Sequence, residues 1–456
     1  MSPCVSVQAF PDWPLGWTSG GDVFMGRKSP VIKSSIGAAR HLDSTTGRCL
    51  VFSGYGQEIG IDGPVFFLCA AEHSGDALGA ALIDALRAVY PKARFVGVGG
   101  PKMAKAGCRI MADPTRHSAM LLGAASQIGF WLRLLKQIRI SLAAERPSVV
   151  IPIDSPPVNL RVARAAQDLK IPVCFYVAPQ LWAWAPWRIK QVRARVDTLC
   201  CVLPFEEEYF RNRGVNAVYV GHPIFENRPA AGPVVPHLPE GNMKIALFPG
   251  SRRSEIEANL PVMLRTVIVA QGRHAGTVFA AAAADSDRLW QIRQAARKAS
   301  VKIDIRTGCA DEIIRWADLV LTVSGTATLQ IARHHKPMII LYAVAWWKWN
   351  LAGRFLIQTR YMSLVNILAG RELVPEFMPF YGSPEPVVNR TLDLMAHANQ
   401  RQEISRQLAE LTDPMLTFAK ARSPSQRVVD EIRKFMPRAD AGGGRRLDQS
   451  PGTSVR

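Results

Sequence analysis

Residues 244–255 read KIALFPGSRRSE and join a short apolar run to a helix-like segment through a loop of small residues. The run Lys244–Phe248 has the length of a strand, and helical spacing begins near Ser254. Glycine lets backbone amides approach a phosphate, a helix N-terminus offers unpaired N–H groups, and Arg252 can neutralise a diphosphate. The stretch therefore predicts a strand–loop–helix unit that binds an anion, or else an ordinary turn with a capping serine.

The same unit recurs on both sides of this stretch. Short apolar runs predict strands, and segments with a helical period separate them. The predicted strands are Val65–Cys69, Arg94–Val98, Ser148–Asp154, Val173–Val177, Thr198–Leu203, Lys244–Phe248, Thr277–Ala282, Lys302–Arg306, Leu319–Val323 and Met338–Tyr342. Continuous apolar strands that alternate with helices are typical of parallel sheets covered on both faces, so the predicted fold class is α/β.

The length of 456 residues exceeds the size at which single cores stop growing, so we expect two domains. We assign a poorly ordered N-terminal extension to 1–62, a first α/β domain to 63–226, a linker to 227–241, a second α/β domain to 242–385, helices to 386–436 and a disordered tail to 437–456. Two similar halves imply a cleft between them, and such folds bind ligands at the carboxyl ends of their strands.

Composition limits the classes of protein to which the chain can belong. Hydrophobic residues make up 48% and charged residues 20%, which excludes a disordered or collagen-like chain. The formal net charge of +19 indicates an anionic partner, for which nucleic acid, an acidic lipid surface and a phosphorylated substrate all qualify. The eight cysteines form no CxxC pair and are typical of reduced residues in a cytosolic protein. No apolar stretch reaches the ~18 residues of a membrane-spanning helix, so we expect a soluble or peripheral protein.

Three further loops follow predicted strands and carry polar groups. The loop 324–326, Ser-Gly-Thr, could hold phosphate oxygens or merely allow close packing of strand and helix. The loop 72–76, Glu-His-Ser-Gly-Asp, would face the cleft, although Asp76 could be only a first-turn acid. Asp154 ends an apolar strand, where a carboxylate can serve as a general base or only cap a turn.

Taken together and in order, these motifs resemble those of the lipid-A-disaccharide synthase family. The members of this family are inverting glycosyltransferases of the GT-B type. The resemblance extends from about Val65 to Val374. It rests on Glu72–Asp76, Phe95–Pro101, Ile153–Pro156, Pro179–Trp184, Leu203–Glu206, Val220–Pro223, the Pro249 loop, Ser324–Ala327 and Asn366–Val374. It implies two Rossmann-like domains that face a cleft, followed by C-terminal helices.

The resemblance also implies a reaction. A 2,3-diacylglucosamine unit passes from its UDP derivative to 2,3-diacylglucosamine 1-phosphate, giving a β-1,6-linked disaccharide 1-phosphate and UDP, with no metal and no cofactor. Asp154 matches the family's catalytic aspartate, Arg252 matches an arginine that would stabilise the departing UDP, and Glu72 is a third expected catalytic residue. The residues expected to bind substrate or nucleotide are Ser74, Gly250, Ser251, Glu255, Ser324, Gly325, Thr326, Gln330, Asn366, Arg371 and Glu372.

The implied setting is the cytoplasmic face of the inner membrane, with a peripheral protein that binds no nucleic acid; the oligomeric state stays open, a homodimer included. The chain departs from the family pattern at Ser126, Pro157 and Gln330, where the family carries acids. Two alternatives therefore stay open. One is a UDP-sugar epimerase of similar build, and the other is a non-catalytic paralogue.

Overall fold

The computed structural model describes residues 63–114, 124–226, 237–343 and 359–436. All of them belong to one compact unit, Ile59–Arg456. The predictions for the extension 1–62, for the tail 437–456 and for most of the linker 227–241 lie outside the described residues. The division into two domains stays a prediction.

The first half of the chain forms a parallel sheet. Its strands are β1 (Val65–Ala70), β2 (Arg94–Val98), β3 (Cys108–Ala112), β4 (Val149–Ile153), β5 (Cys174–Tyr176), β6 (Thr198–Cys201) and β7 (Ala217–Tyr219). Within the described residues their order is β3-β2-β1-β4-β5-β6-β7, and every pairing is parallel. The helices are α1 (His73–Val89), α2 (Pro101–Lys105), α3 (Ala124–Glu145), α4 (Pro156–Asp168), α5 (Leu181–Trp184), α6 (Ile189–Arg195) and α7 (Pro204–Arg211).

The second half repeats this plan. Its strands are β8 (Met243–Phe248), β9 (Thr277–Ala283), β10 (Asp304–Thr307), β11 (Leu319–Val323), β12 (Met338–Ala343) and β13 (Glu376–Phe380). The part of the chain that is described gives the parallel order β10-β9-β8-β11-β12-β13. The helices are α8 (Arg253–Arg273), α9 (Ser286–Lys298), α10 (Ala310–Trp316), α11 (Thr326–Ala332), α12 (Leu364–Ala369), α13 (Glu385–Ala396), α14 (Ala398–Ala421) and α15 (Pro424–Arg433).

Each sheet reverses its strand order once, between β1 and β4 in the first and between β8 and β11 in the second. The loops after these strands diverge to opposite faces, which opens a crevice at the carboxyl edge. The central strands β4 and β11 are buried along their whole length, which explains why the sequence there is apolar except at Thr322. The fold therefore places the polar loops after β1, β4, β8 and β11 at two such crevices.

The last helices return to the first sheet. The ring of Phe418 in α14 stacks on Tyr219 with the centroids 4.8 Å apart, and Ser425 in α15 donates a hydrogen bond to Glu226 at 3.4 Å. One hydrophobic core accordingly contains residues of both sheets, such as Phe66 and Ile245. Among the helices of the described ranges, none is long and apolar enough to cross a membrane.

All ten predicted strands are present, with small shifts such as that of Lys302–Arg306 to Asp304–Thr307. Three strands were not predicted, namely β3, β7 and β13, and each of them lies at an edge of its sheet. Helix α4 begins at Pro156. It begins there because proline is well suited to the first turn of a helix, where no N–H group is needed.

Candidate active site at the carboxyl edges of the sheets

One charged side chain from each crevice approaches the other. Glu72 is the N-cap of α1 and follows β1, whereas Arg252 is the N-cap of α8 and follows β8. A guanidinium nitrogen of Arg252, Nη2, lies 4.0 Å from Oε2 of Glu72. The Arg252 side chain is 71% exposed, so this ion pair is weak and leaves the arginine accessible to a ligand.

Asp154 stands directly after β4 in an unusual backbone conformation. Its φ is 53° and that of Ser155 is 44°, both in the left-handed region that non-glycine residues adopt at a cost of roughly 1–2 kcal/mol each. The Asp154 amide donates to the Tyr176 carbonyl at 2.9 Å. The Asn159 side-chain amide donates to the carbonyls of Asp154 and Ile153 at 2.6 and 2.9 Å. These contacts hold the backbone of the turn that carries Asp154.

Asn159 is a site residue that the sequence analysis missed. Its side chain is fully buried on the inner face of α4, where the neighbouring buried positions are apolar. It also donates to the Cys69 carbonyl at 3.3 Å and so ties the end of β4 to β1. A lone asparagine on the apolar face of a predicted helix is the signal that could have identified it, because buried amides require partners.

The environment of Asp154 favours proton uptake. Burial raises the pKa of its carboxyl group, the backbone hydrogen bond from Ser155 lowers it, and the negative charge of Glu72 raises it further. A carboxylate with a raised pKa is a stronger base than an ordinary aspartate. The structure thus places Glu72 close to both Asp154 and Arg252.

The Pro249 loop is organised by Glu255. The amides of Ser251 and Arg252 donate to Oε2 of Glu255 at 3.1 and 3.2 Å, and Nη1 of Arg252 donates to Oε1 at 3.0 Å. Gly250 has a φ of 116°, and a Cβ atom there would lie 2.7 Å from the Cβ of Glu255. The carboxylate of Glu255 therefore binds the loop itself, and a contact of Glu255 with the nucleotide stays a prediction. Position 250 requires glycine, because any other residue would place its Cβ atom too close to Glu255.

The loop 324–326 is open to solvent. Gly325 and Thr326 are exposed and Ser324 is half-buried, and helix α11 begins at Thr326. The hydroxyl of Thr328 donates to the Gly325 carbonyl at 2.8 Å and so restrains the loop. The geometry leaves the polar groups of this loop accessible to an anion.

Gln330 lies in a polar network, which the sequence did not predict. Its amide donates to Oδ1 of Asp311 at 3.2 Å, and the same oxygen is 2.6 Å from Nη2 of Arg333 and 2.8 Å from Nε2 of His334. Burial alone would raise the pKa of Asp311, but the hydrogen bonds from His334, Arg333 and Gln330 hold it far below its ordinary value. Gln330 thus contributes one hydrogen bond to Asp311, and its contact with the nucleotide stays a prediction.

The segment 366–374 was predicted to lie near the nucleotide, and Asn366 requires a correction. Its side chain is fully buried, donates to the Val374 carbonyl and to Glu376, and accepts from the amides of Leu373 and Val374. All four of its hydrogen-bonding positions are occupied, so Asn366 shapes the loop and is not free to bind a ligand directly.

The remaining predicted residues differ in exposure and in partners. Arg371 is exposed and donates to Gln407 at 3.0 Å, whereas Glu372 and Ser74 are exposed at the surface. The departure at Pro157 falls in the first turn of α4, where proline is tolerated. Ser126 lies in α3, and its side chain is outside the described part. Within the described ranges, no group of three His, Cys, Asp or Glu side chains is arranged to hold a metal ion.

Asp76 proves to be structural, as the alternative interpretation had it. Its carboxylate is buried and accepts hydrogen bonds from the amides of Gly100, Lys102 and Met103 at 2.8 to 3.0 Å. These are amides at the N-terminus of α2, which leaves them without partners in the helix. Asp76 therefore joins α1 to α2.

Comparison with known proteins identifies the relatives of the chain. The sequence model of the family described as lipid-A-disaccharide synthetase matches residues 66–429. Lipid-A-disaccharide synthase of Anaeromyxobacter sp. (strain K) is 32% identical over 376 residues, which are 81% of this chain and 97% of that protein. The protein of the same name from Granulibacter bethesdensis is 34% identical, over 77% of this chain and 93% of its own length.

Solved structures confirm the fold. A Staphylococcus aureus MnaA–UDP complex superposes with a TM-score of 0.56 at 13% identity and covers 82% of this chain and 96% of its own. UDP-GlcNAc 2-epimerase from Neisseria meningitidis, bound to UDP-GlcNAc, also gives 0.56, at 11% identity and with 81% and 99% coverage. At such low identity the likeness shows the fold alone, and that fold is the predicted α/β type with two Rossmann-like sheets of the GT-B class.

Proposed function

This chain belongs to the lipid-A-disaccharide synthetase family, and we propose that it transfers 2,3-diacylglucosamine from its UDP derivative to 2,3-diacylglucosamine 1-phosphate. The products are the β-1,6-linked disaccharide 1-phosphate and UDP. The family match over most of the chain makes the protein a glycosyltransferase of lipid A biosynthesis, in preference to an epimerase. The two diacylated substrates are the proposed part.

In the proposed reaction Asp154 takes the proton from the 6-hydroxyl group of the acceptor. The acceptor oxygen forms a bond to the anomeric carbon of the donor from one face, while the bond from that carbon to UDP breaks on the other, which inverts the configuration. The raised pKa of Asp154 supports this assignment, because the carboxylate must accept a proton during the attack.

Charge on the departing UDP requires a cation at the opposite side of the crevice. Arg252 supports this role because it projects from the second sheet to within 4.0 Å of Glu72 on the first. The exposed loop 324–326 would supply amide and hydroxyl donors to the diphosphate at the start of α11. Ser74 and Ser251 are exposed and lie two residues after Glu72 and one before Arg252, so they would contact the substrate together with Gly250, and the exposed residues Arg371 and Glu372 would contact the nucleotide.

The observation that carries the proposal is the approach of Glu72, beside Asp154, to Arg252. The test is mass analysis of the products formed by purified protein from defined donor and acceptor. Asp154→Asn should abolish disaccharide formation and leave UDP binding unchanged, because the amide cannot accept the proton. Asp168→Asn, at the exposed end of the same helix α4, is the matched control and should remain active. Full activity of Asp154→Asn would remove this residue as the base.

We propose that no metal takes part, since Arg252 and the helix start at Thr326 can stabilise the leaving group. The rate should then be the same in excess EDTA as in Mg²⁺. A rate that falls in EDTA and returns with Mg²⁺ would contradict this proposal.

We propose that α3 binds the anionic cytoplasmic surface of the inner membrane. Leu132 and Ile140 are 63% and 60% exposed, and they lie on the same helical face as Arg133, Lys136 and Arg139. Exposed apolar side chains between cations are typical of helices that lie at a lipid interface. The net charge of +19 and the lipid substrates support this location.

Sedimentation with vesicles tests the membrane proposal. The native chain should pellet with vesicles that contain anionic lipid, and Leu132→Ser with Ile140→Ser should weaken binding by at least about tenfold, because two exposed apolar side chains are removed. Ile268→Ser, which replaces an exposed isoleucine of α8, is the control. Equal binding of the α3 variant and the native chain would show that another surface contacts the membrane.

A further inference from the structure

We propose that Glu255, and not the diphosphate of the donor, occupies the N-terminus of α8, and that it acts on the reaction by orienting Arg252. This inference rests on the proposed function. The two amides that immediately precede the helix, those of Ser251 and Arg252, already donate to one carboxylate oxygen of Glu255. The other oxygen accepts from Arg252 Nη1 at 3.0 Å.

The N-terminus of a helix attracts one anion because its unpaired amides and the helix dipole favour negative charge. Here the Glu255 carboxylate, in the first turn, accepts from the amides of Ser251 and Arg252 and places a negative charge at the helix N-terminus. Only 14% of the Glu255 side chain is exposed. A second anion at the same amides would find the donors occupied and would meet the negative charge of Glu255. The diphosphate is therefore expected at the open loop 324–326, and the Pro249 loop contributes through the Arg252 side chain.

The orientation of Arg252 follows from two contacts made by the same guanidinium group. Nη1 is held by Glu255, and Nη2 is directed toward Glu72 across the crevice. A long exposed side chain without such a contact would sample many rotamers, and ordering it would oppose binding of the transition state. Glu255 is thus a positioning residue, and it touches neither substrate.

Glu255→Gln should keep the contact of Glu255 with the loop amides and remove its contact with Arg252. The remaining amide oxygen can still accept from both loop amides, which share one oxygen in the native chain, but the new NH₂ group cannot accept from Arg252. We expect kcat to fall about tenfold, the factor for one charge-assisted hydrogen bond. The dissociation constant for UDP should stay the same or decrease, because a negative charge near the diphosphate is removed.

Glu257→Gln is the matched control. Glu257 lies two residues further along α8 and pairs with Arg253 at 2.7 Å, so the substitution removes the same charge and a similar ion pair from the same helix. It should leave both kcat and UDP binding unchanged. The double variant with Arg252→Ala completes the test, and in that background Glu255→Gln should change kcat by less than about twofold.

Two results would overturn the proposal. Weaker binding of both UDP and uridine to Glu255→Gln, by about tenfold, would make Glu255 a direct ligand of the nucleoside. An equal loss of kcat with and without Arg252 would show that Glu255 acts only through the fold. Titration with UDP does not depend on turnover, so a native chain that bound UDP without forming the disaccharide would count against the proposed function and leave the test of Glu255 intact.

Discussion

Replacing Asn159 with alanine should both destabilise the protein and slow its reaction. The Asn159 amide is the donor to the carbonyls of Asp154, Ile153 and Cys69, at 2.6, 2.9 and 3.3 Å. Its side chain is fully buried, so water cannot easily take its place. The variant would leave these carbonyl groups without their side-chain donor beneath the turn that carries Asp154.

The size of the effect follows from the number of groups affected. A buried acceptor that loses its partner costs about 1–3 kcal/mol, and two of the three contacts are short, so we expect a loss of about 3 kcal/mol. At roughly 2–4 °C per kcal/mol for a domain of this size, the melting temperature should fall by about 6–12 °C. The left-handed backbone at Asp154 and Ser155 would also lose its anchor, and a displacement of about 1 Å at a catalytic group lowers kcat by about 100-fold.

Thermal unfolding and steady-state kinetics measure the two effects. Asn216→Ala is the control, because Asn216 donates to the Asp197 carbonyl at 2.8 Å in the same sheet but is exposed. It should change the melting temperature only slightly and leave kcat unaltered. If Asn159→Ala melted and turned over like the control, Asn159 would not hold the Asp154 turn.

Three other predictions concern charge. Glu72→Gln should move the acidic limb of the kcat/KM profile to lower pH, because removing the negative charge beside Asp154 lowers the pKa of that base; an unmoved limb would contradict this. Arg252→Ala should lower kcat/KM for the UDP donor by loss of a charge-assisted contact, and an unchanged value would refute that assignment. Burial raises the pKa of Glu206 from 4.5 to about 7, so the folded chain binds an extra proton between these values. The stability of the folded chain should fall as pH rises from 4.5 to about 7. The melting temperature of the native chain should show this fall, whereas that of Glu206→Gln should not.

Strands that are covered on both faces were the easiest to predict from the sequence, although the partly buried edge strand β10 was also predicted. A central strand such as β4 is covered on both faces, so each of its residues must be apolar and the run is visible. The edge strands β3, β7 and β13 are only partly buried and carry mixed residues. Their assignment depends on the neighbouring strand that they pair with, and a local pattern of residues does not contain that information.

The sequence indicated which loops carry the candidate site residues, but it did not indicate the partners of those residues. Glu72 and Asp154 follow β1 and β4, and these strands are neighbours in the structure, so their shared carboxyl edge brings the two side chains together. Glu255 and Asn366 were expected to contact a ligand because the segments that contain them resemble family motifs. Each of them satisfies backbone amides of its own loop. Whether a polar group at a loop faces inward depends on backbone geometry that residue types alone do not determine.

Distance along the chain separates the contacts that depend on local geometry from those that depend on the packing of distant elements. Glu255 and the Ser251 amide are four residues apart, and the helix start at Arg253 makes their contact a matter of local geometry. Glu72 and Arg252 belong to different sheets, and their approach depends on how both sheets and the last helices pack together. A weak exposed ion pair does not itself bring about that packing, because it contributes less than about 1 kcal/mol. The packing is stabilised by the apolar core that the two sheets share, and the charged groups of the site meet as its consequence.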